Sequence, residues 1–321
     1  MKMPKVSVII PIYNVEQWIE RCAHSLFGQT MEDLEYIFID DCTPDDSVAI
    51  LLRVLESYPH RKHQVKLLRN EKNQGLSYTR ARGEKAATGQ YLISCDSDDW
   101  VAPDIYQLMY DEAQKTNADV VVCNFLNEYA DGSQTSVVVN PKMSPLEIIN
   151  KLAVGYQWYT WNKLVRRSLI VDNQLFPVEG VGRWEDAFVM VPLFAMSPRI
   201  AYVEKPLYHY NRANISSISN GRNVLNKGAE MKKVVDHIQS FSKDHDVDIE
   251  EGLIKFKITV RDFYIMRDAY WKNWRNCYPE VVSWVMKEKR YKTLYKVCYY
   301  LAAKGIVAPF RLYRILSRYN S

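Results

Sequence analysis

The sequence predicts an α/β protein with a mostly parallel central sheet flanked by helices, followed by a helical C-terminal extension. Three observations carry this. Between Lys5 and Tyr129, apolar β-rich runs start near Val6, Leu34, Val65, Gln90 and Asp119 and alternate with segments of helical periodicity, the pattern of repeated β-α-β units. Two acidic clusters, Asp40-Asp41 and Asp96-Ser97-Asp98-Asp99, follow the second and fourth runs. They stand at the carboxyl ends of strands, where open α/β sheets bind their ligands. After about Arg222 the chain turns helical, aromatic and basic.

The first run, Val6-Ser-Val-Ile-Ile-Pro-Ile-Tyr13, is short, contains Pro11 and leads into Glu16 and Glu20, so it reads as a strand and not as a signal-peptide core. Val15, Trp18, Ile19, Cys22, Leu26 and Phe27 then share one helix face, with Asn14 as N-cap and Gln17 three residues later. Thr43-Pro44-Asp45-Asp46 supplies a cap, a first-turn proline and an acidic first turn for a helix running to about Tyr58. Further on come a hairpin around Asp131-Gly132, a helix after Ser144, a loop-rich stretch from Leu175 to Trp184 and a segment from Val203 to Ser219. Residues 1–221 are expected to form the α/β domain and 222–321 a helical, basic, aromatic region.

Bulk properties exclude several classes. A net charge of +4 over 321 residues is too small to argue for nucleic acid. The six cysteines are scattered without a C-x-x-C pair, which disfavours zinc and fits a reduced, cytoplasmic setting. No uncharged apolar run reaches the length of about 18 residues that a spanning helix needs. Dinucleotide, P-loop, H-E-x-x-H and G-x-S-x-G signatures are all missing.

Asp96, Asp98 and Asp99 place three carboxylates within four positions at a strand end, where lost hydration and mutual repulsion call for a positive species. Residues two apart on an extended chain share a face, so Asp96 and Asp98 can address one ligand. Hard carboxylate oxygens of this kind suit Mg²⁺ or Mn²⁺ completed by water and phosphate. Taken alone, the same acids could simply cap the helix near Asp104.

Four segments stand in an order and spacing that resembles family 2 glycosyltransferases of the GT-A fold: Val6 to Asn14, Ile37-Phe-Ile-Asp-Asp-Cys-Thr-Pro-Asp-Asp-Ser47, Asn73-Gln-Gly-Leu-Ser-Tyr-Thr-Arg-Ala-Arg-Gly83, and Cys95 to Asp99. The likeness continues through Trp161-Asn-Lys-Leu-Val-Arg166, Phe176-Pro177, Glu185-Asp186 and Pro206-Leu-Tyr-His-Tyr210, then fades after Ser219. It implies a nucleotide-sugar donor, commonly a UDP-sugar, with Pro11 and Tyr13 bordering the base and Asp41 accepting from a uracil N–H. Arg80 would reach the diphosphate, with Arg82 as the competing candidate, and Ala81 stands where the family usually has Asn. The resemblance assigns Asp96 to the ribose and Asp98 to a divalent metal, with Asp99 supporting, and makes Asp186 the general base for an acceptor hydroxyl. His209 is either a further metal ligand or a structural residue. Trp158, Trp161 and Lys163 fall on the acceptor side.

Two other readings stay open: a sugar nucleotidyltransferase, disfavoured because Pro11-Ile-Tyr-Asn14 has neither glycine nor charge, and a non-catalytic carbohydrate-binding relative. From Lys287 to Arg318 nine basic residues face a single acid, Glu288, and are interleaved with aromatic and aliphatic side chains. That composition suits either an element lying on an anionic membrane surface or a helical cap on the catalytic domain. The expected acceptor is a glycan or lipid-linked glycan, in bacterial surface polysaccharide assembly.

Overall fold

The computed structural model describes residues 3–318 apart from 198, 215–226, 266–273, 275 and 290. Strands β1 (Val6–Ile12), β2 (Leu34–Asp40), β3 (Val65–Arg69) and β4 (Tyr91–Ser94) pair in parallel in the order β3-β2-β1-β4. Every residue of β1, β2 and β4 is buried, as expected for parallel strands covered on both faces. The order reverses beside β1, so a crevice opens at the carboxyl ends of β1 and β4.

The sheet continues through β8 (Lys163–Arg166), β6 (Val120–Glu128), β9 (Ile200–Asn211) and the short β5 (Trp100–Val101), while β7 (Gln134–Val137) pairs with β6 in the hairpin expected at Gly132. Antiparallel pairs join β4 to β8, β8 to β6 and β9 to β5, whereas β6 and β9 run parallel. The parallel expectation therefore holds for the first four strands, and this half of the sheet is mixed.

Helices α1 (Ile19–Phe27), α2 (Ser47–Glu56), α3 (Leu76–Ala86) and α4 (Ile105–Thr116) cover the N-terminal half. Helix α1 starts later than its periodicity predicts. Asn14 is not its cap but sits at φ 55, its N–H donating to Thr43 Oγ1 at 2.8 Å. Val15 and Glu16 likewise donate to Ser47 Oγ and Asp45 Oδ2. The Thr43–Ser47 polar groups are thus spent holding the 14–18 turn, which delays both helices. Helix α5 (Pro145–Leu152) has the full capping box of Ser144 and Glu147. Short α6 (Arg167–Asp172) and α7 (Glu185–Met196) follow.

The expected boundary at 221–222 lies outside the described residues. Beyond it, α8 (Lys227–Asp244), α9 (Glu250–Ile265), α10 (Val281–Lys287), α11 (Thr293–Ala303) and α12 (Ala308–Arg318) form the helical region. Helix α8 packs on α7 and α9 packs on α5, so this region is seated on the α/β part through two helices. Among the described residues no helix is long and apolar enough to cross a membrane.

The α5–α9 contact depends on Gly252. Its N–H donates to Asn150 Oδ1 at 3.0 Å, and a Cβ there would lie 2.4 Å from the Ile149 carbonyl oxygen. Gly252→Ala should therefore destabilise the protein by about 1–3 kcal/mol, the usual cost of overpacking. Urea unfolding measures this, and an unchanged midpoint would show that the docking does not need that close approach.

Candidate active site

Beyond β4 the chain turns over Asp96–Asp99, closed by Asp99 N–H to Asp96 C=O at 3.0 Å. Asp99 is buried and accepts from the Tyr208 hydroxyl at 2.6 Å and the Asn211 N–H at 2.7 Å. It fastens β9 to the turn. Asp98 carries a different bond: Asn214 Nδ2 donates to its Oδ2 at 2.7 Å. Burial, and then the charge of Asp96, push the Asp98 carboxyl up to about 6.

Arg80 lies on α3 with only 2 % of its surface exposed. Its Nη2 meets Asp96 Oδ1 at 2.6 Å, and its Nη1 meets Asp186 Oδ1 at 3.1 Å and Glu185 Oε1 at 3.6 Å. Burial works against the guanidinium charge, but Asp96, Asp186 and Glu185 together outweigh it. Part of the positive species that the Asp96–Asp99 cluster demands is therefore the protein's own. The fork expected to reach a diphosphate is committed to carboxylates. Arg82 bonds Asn70 Oδ1 and the Arg69 carbonyl and does not line the cleft.

Glu185 and Asp186 open α7, and Asp186 reaches Arg80 from 106 positions further along the chain. Trp184 precedes them at φ 65, a left-handed backbone unusual for so bulky a residue. It packs edge-on against Phe256 of α9 with ring centroids 5.4 Å apart. Burial raises the Asp186 carboxyl and Asp96 adds to that, while Arg80 and Lys163 oppose it. Burial and the Asp186 charge push Glu185 up to about 8. Both adjacent acids face the Arg80 cation, Asp186 at 3.1 Å and Glu185 at 3.6 Å.

Asp96, Asp98, Glu185, Asp186 and Arg80 line one cleft of about 900 Å³, together with Pro11, Tyr13 and Asp41; that size suits a small-molecule site. The Asp41 carboxylate accepts from Asn70 Nδ2 at 2.7 Å, Gln74 N–H at 2.8 Å and Gly75 N–H at 2.9 Å. It braces the loop before α3, so most of its acceptor capacity is already used inside the protein. Aromatic residues form the other wall: Trp158, Tyr159, Trp161, Trp184, Tyr210 and Phe256. Trp161 is stacked on Tyr208 with centroids 4.2 Å apart, so it belongs as much to the core as to the cleft.

Two expected residues lie elsewhere. His209 does not line the cleft: its Nδ1 is paired with Glu128 Oε1 at 2.6 Å and its ring stacks on Trp100. The role of metal ligand is corrected to the structural one, because the ring is held between Trp100 of β5 and Glu128 of β6. Lys163 is fully buried behind the wall, donating to the carbonyls of Gln157 and Tyr159 at 2.7 Å and to Asn162 Oδ1 at 2.8 Å. It holds the wall and cannot touch an acceptor. Lys227, Glu230 and Phe256 of the helical region also line the cleft, and no signal in their local sequence separates them from ordinary helix residues.

Among the described residues no three His, Cys, Asp or Glu side chains gather where they could hold a metal ion. Asp98 with Asp96 supplies hard oxygens and a carboxyl whose raised affinity for protons a cation would relieve. The residues fit a divalent ion that takes its remaining ligands from phosphate and water.

The acidic cleft at the carboxyl ends of β1 and β4, on a sheet parallel in its first four strands, defines the class: the GT-A fold of nucleotide-diphospho-sugar transferases. The chain belongs to glycosyl transferase family 2, whose sequence profile matches residues 7–169. It is 36 % identical over 225 residues to the putative glycosyltransferase EpsH of Bacillus subtilis, a match covering 68 % of this chain and 63 % of that protein. It is 26 % identical over 307 residues to a cholesterol galactosyltransferase of Borreliella burgdorferi, covering 91 % and 80 %. The chain thus spans under two thirds of EpsH and likewise 63 % of the uncharacterized glycosyltransferase EpsJ. In fold it is similar to S. aureus TarS 1–349, solved with UDP-GlcNAc, at TM-score 0.74 and 18 % identity over 99 % of this chain and 92 % of that one. A mannosyltransferase, PcManGT of Pyrobaculum calidifontis, solved with GDP-Man and Mn²⁺, gives TM-score 0.55 at 15 % identity, covering 98 % and 88 %.

Glu84, one turn beyond Arg80 on α3, is buried with its Oε2 unpartnered, and burial pushes its carboxyl up to about 8. Because the folded state binds this proton more tightly than the unfolded one, Glu84 costs stability increasingly as pH rises from about 4.5 to about 8. Glu84→Gln should match the parent at pH 4 and exceed it by roughly 2 kcal/mol or more at pH 8.5. Urea unfolding at the two pH values measures the difference. A gap independent of pH would mean that Glu84 does not carry its proton into the fold.

Proposed function

We propose that the chain transfers a sugar from a UDP-sugar to a hydroxyl of a glycan or lipid-linked glycan, with inversion at the anomeric carbon, in the assembly of a bacterial surface polysaccharide. The observation that carries this reading is the convergence of Asp96, Asp98 and Asp186 on one cleft around the buried Arg80. The relatives' names and the UDP-GlcNAc held by TarS support a nucleotide-sugar donor.

In this mechanism Asp186 removes the acceptor proton as the hydroxyl oxygen attacks the anomeric carbon in line with the departing diphosphate. A single displacement gives a β-linked product from an α-linked donor. Arg80 opposes the burial that raises the Asp186 carboxyl and fixes the direction of its carboxylate. Glu185 stands farther from Arg80 than Asp186 does, 3.6 against 3.1 Å. Pro11 and Tyr13 border the nucleobase, Asp41 braces the loop beside it, and Asp96 meets the ribose. Asp98, with Asp96, would hold Mg²⁺ or Mn²⁺, whose charge stabilises the leaving diphosphate. The aromatic wall from Trp158 to Phe256 gives the acceptor's C–H faces a packing surface and excludes water.

Incubation with a panel of nucleotide-sugars and Mn²⁺, followed by slow donor hydrolysis, identifies the donor; no binding or turnover of any donor would sink the reading. Asp186→Asn should leave UDP affinity within a few-fold and reduce turnover by about 10²–10⁴-fold, the usual share of a positioned base. Full transfer by this variant would remove Asp186 from that role. In calorimetric titrations Mn²⁺ should bind at least about tenfold more tightly when UDP is present, because the protein alone offers few ligands. Equal affinity with and without UDP would contradict a shared coordination sphere.

A further inference from the structure

Helices α11 and α12 form a hairpin. At its tip Gly305 stands at φ 98, with Gly305 N–H bonded to the Ala302 carbonyl and Ile306 N–H to the Leu301 carbonyl, the helix-ending arrangement that only glycine adopts without strain. The inner faces are closed. Tyr295, Tyr299 and Phe310 are buried against one another with centroids 5.5–5.6 Å apart.

The outer faces are not polar, as surface helices normally are. Leu294 is 61 % exposed, Leu312 58 %, Ile315 48 % and Leu316 55 %, with Val297, Tyr300 and the tip residue Ile306 also open. Each helix therefore carries a second apolar stripe, opposite the one it buries. Exposed Lys292 and Lys304 cap the two ends of α11, exposed Lys287 and Lys289 precede it in the chain, and Glu288 is the one acid between 287 and 318.

Charge decides among possible occupants. A second copy of the chain would bring lysines against lysines, whereas an acidic bilayer offers apolar depth for the leucines and anionic headgroups for the ammonium groups. We propose that the α11–α12 hairpin docks the chain on an anionic lipid bilayer, inserting Leu312, Ile315, Leu316 and Leu294 at the interface. The hairpin is joined to the cleft by packed helices. Phe256 lines the cleft on α9, and Arg261 of the same helix donates to the Tyr278 carbonyl at 2.8 Å and the Tyr299 hydroxyl at 3.0 Å. A docked hairpin would hold the cleft at a constant height above lipid, which deepens the reading of a lipid-linked acceptor and rests on it for its purpose, though not for its test.

The test is flotation of the full chain with phosphatidylcholine vesicles, with and without one third phosphatidylglycerol. The parent should float only with the acidic vesicles. Leu312→Asp with Ile315→Asp, and separately Lys292→Glu with Lys304→Glu, should each lower the bound fraction by at least about tenfold, with unchanged melting temperatures because all four side chains are exposed. A parent that stays at the bottom, or variants that float as well as the parent, would overturn the proposal. So would a concentration-dependent dimer in light scattering that the apolar pair of substitutions abolishes, which would assign the face to a second copy. UDP binding by the same variants keeps the two readings apart: it should be unaltered, and its absence in the parent would count against the donor reading and not against docking.

Discussion

The site depends on one buried cation. Arg80 sits beneath Asp96 and Asp186 at 2.6 and 3.1 Å, and without it two carboxylates from distant parts of the chain would share a largely dehydrated floor. An isolated buried carboxylate costs several kcal/mol or surrenders its charge by taking up a proton. A guanidinium between the two puts one positive charge within hydrogen-bond distance of each, and it spans them because its planar fork presents separate donors in fixed directions. The charge is incompletely balanced, however. Asp98 accepts from the Asn214 amide and does not contact the guanidinium as Asp96 does, and its carboxyl is held up to about 6. The residual negative potential sits at the mouth, where a metal–diphosphate pair would neutralise it.

The fold delivers this arrangement through strand ends. Parallel strands β1 and β4 stop side by side, and the turn after β4 projects Asp96 and Asp98 over the edge. Asp99 then fastens the turn to β9 through Tyr208 and Asn211. The same acidic run is thus split by this turn, not by strand alternation, into two carboxylates that line the cleft and one that is structural. Asp186 arrives independently, at the first turn of α7, where a helix N-terminus favours a negative charge. The strained Trp184, which directly precedes that helix, contacts Phe256 of α9, so the C-terminal helices take part in placing Asp186.

Much of the N-terminal half was legible in the sequence because buried parallel strands are continuous apolar runs and their helices repeat every three to four positions. The acidic clusters were legible because charge at a strand end needs an explanation. What escaped depends on tertiary choices that no local pattern records. Asn14 resembles an N-cap, but the Thr43–Ser47 groups claim that turn. His209 was placed by register: β6 and β9 shift register near Asn124, and the ring meets Glu128. Asp41 looked free to receive a base, yet the loop before α3 had three N–H groups to satisfy. Lys227, Glu230 and Phe256 reach the cleft only through helix packing, beyond the reach of periodicity.

Arg80 and Lys163 show why the choice of cation matters. Both are buried and both lie in the field of Asp186. Arg80 has two carboxylates within hydrogen-bond reach and stays charged. Lys163 donates to two carbonyls and an amide oxygen, none of which carries charge, and burial pushes it down to about 7. Neutral acceptors satisfy its protons without compensating for its lost hydration. The consequence is a separation of roles within one site: a permanent charge where carboxylates converge, and a conditional one where only a loop has to be held. Exchanging the two would leave a lysine to share three carboxyls from a single point, and it would place a guanidinium among carbonyls that cannot return its charge.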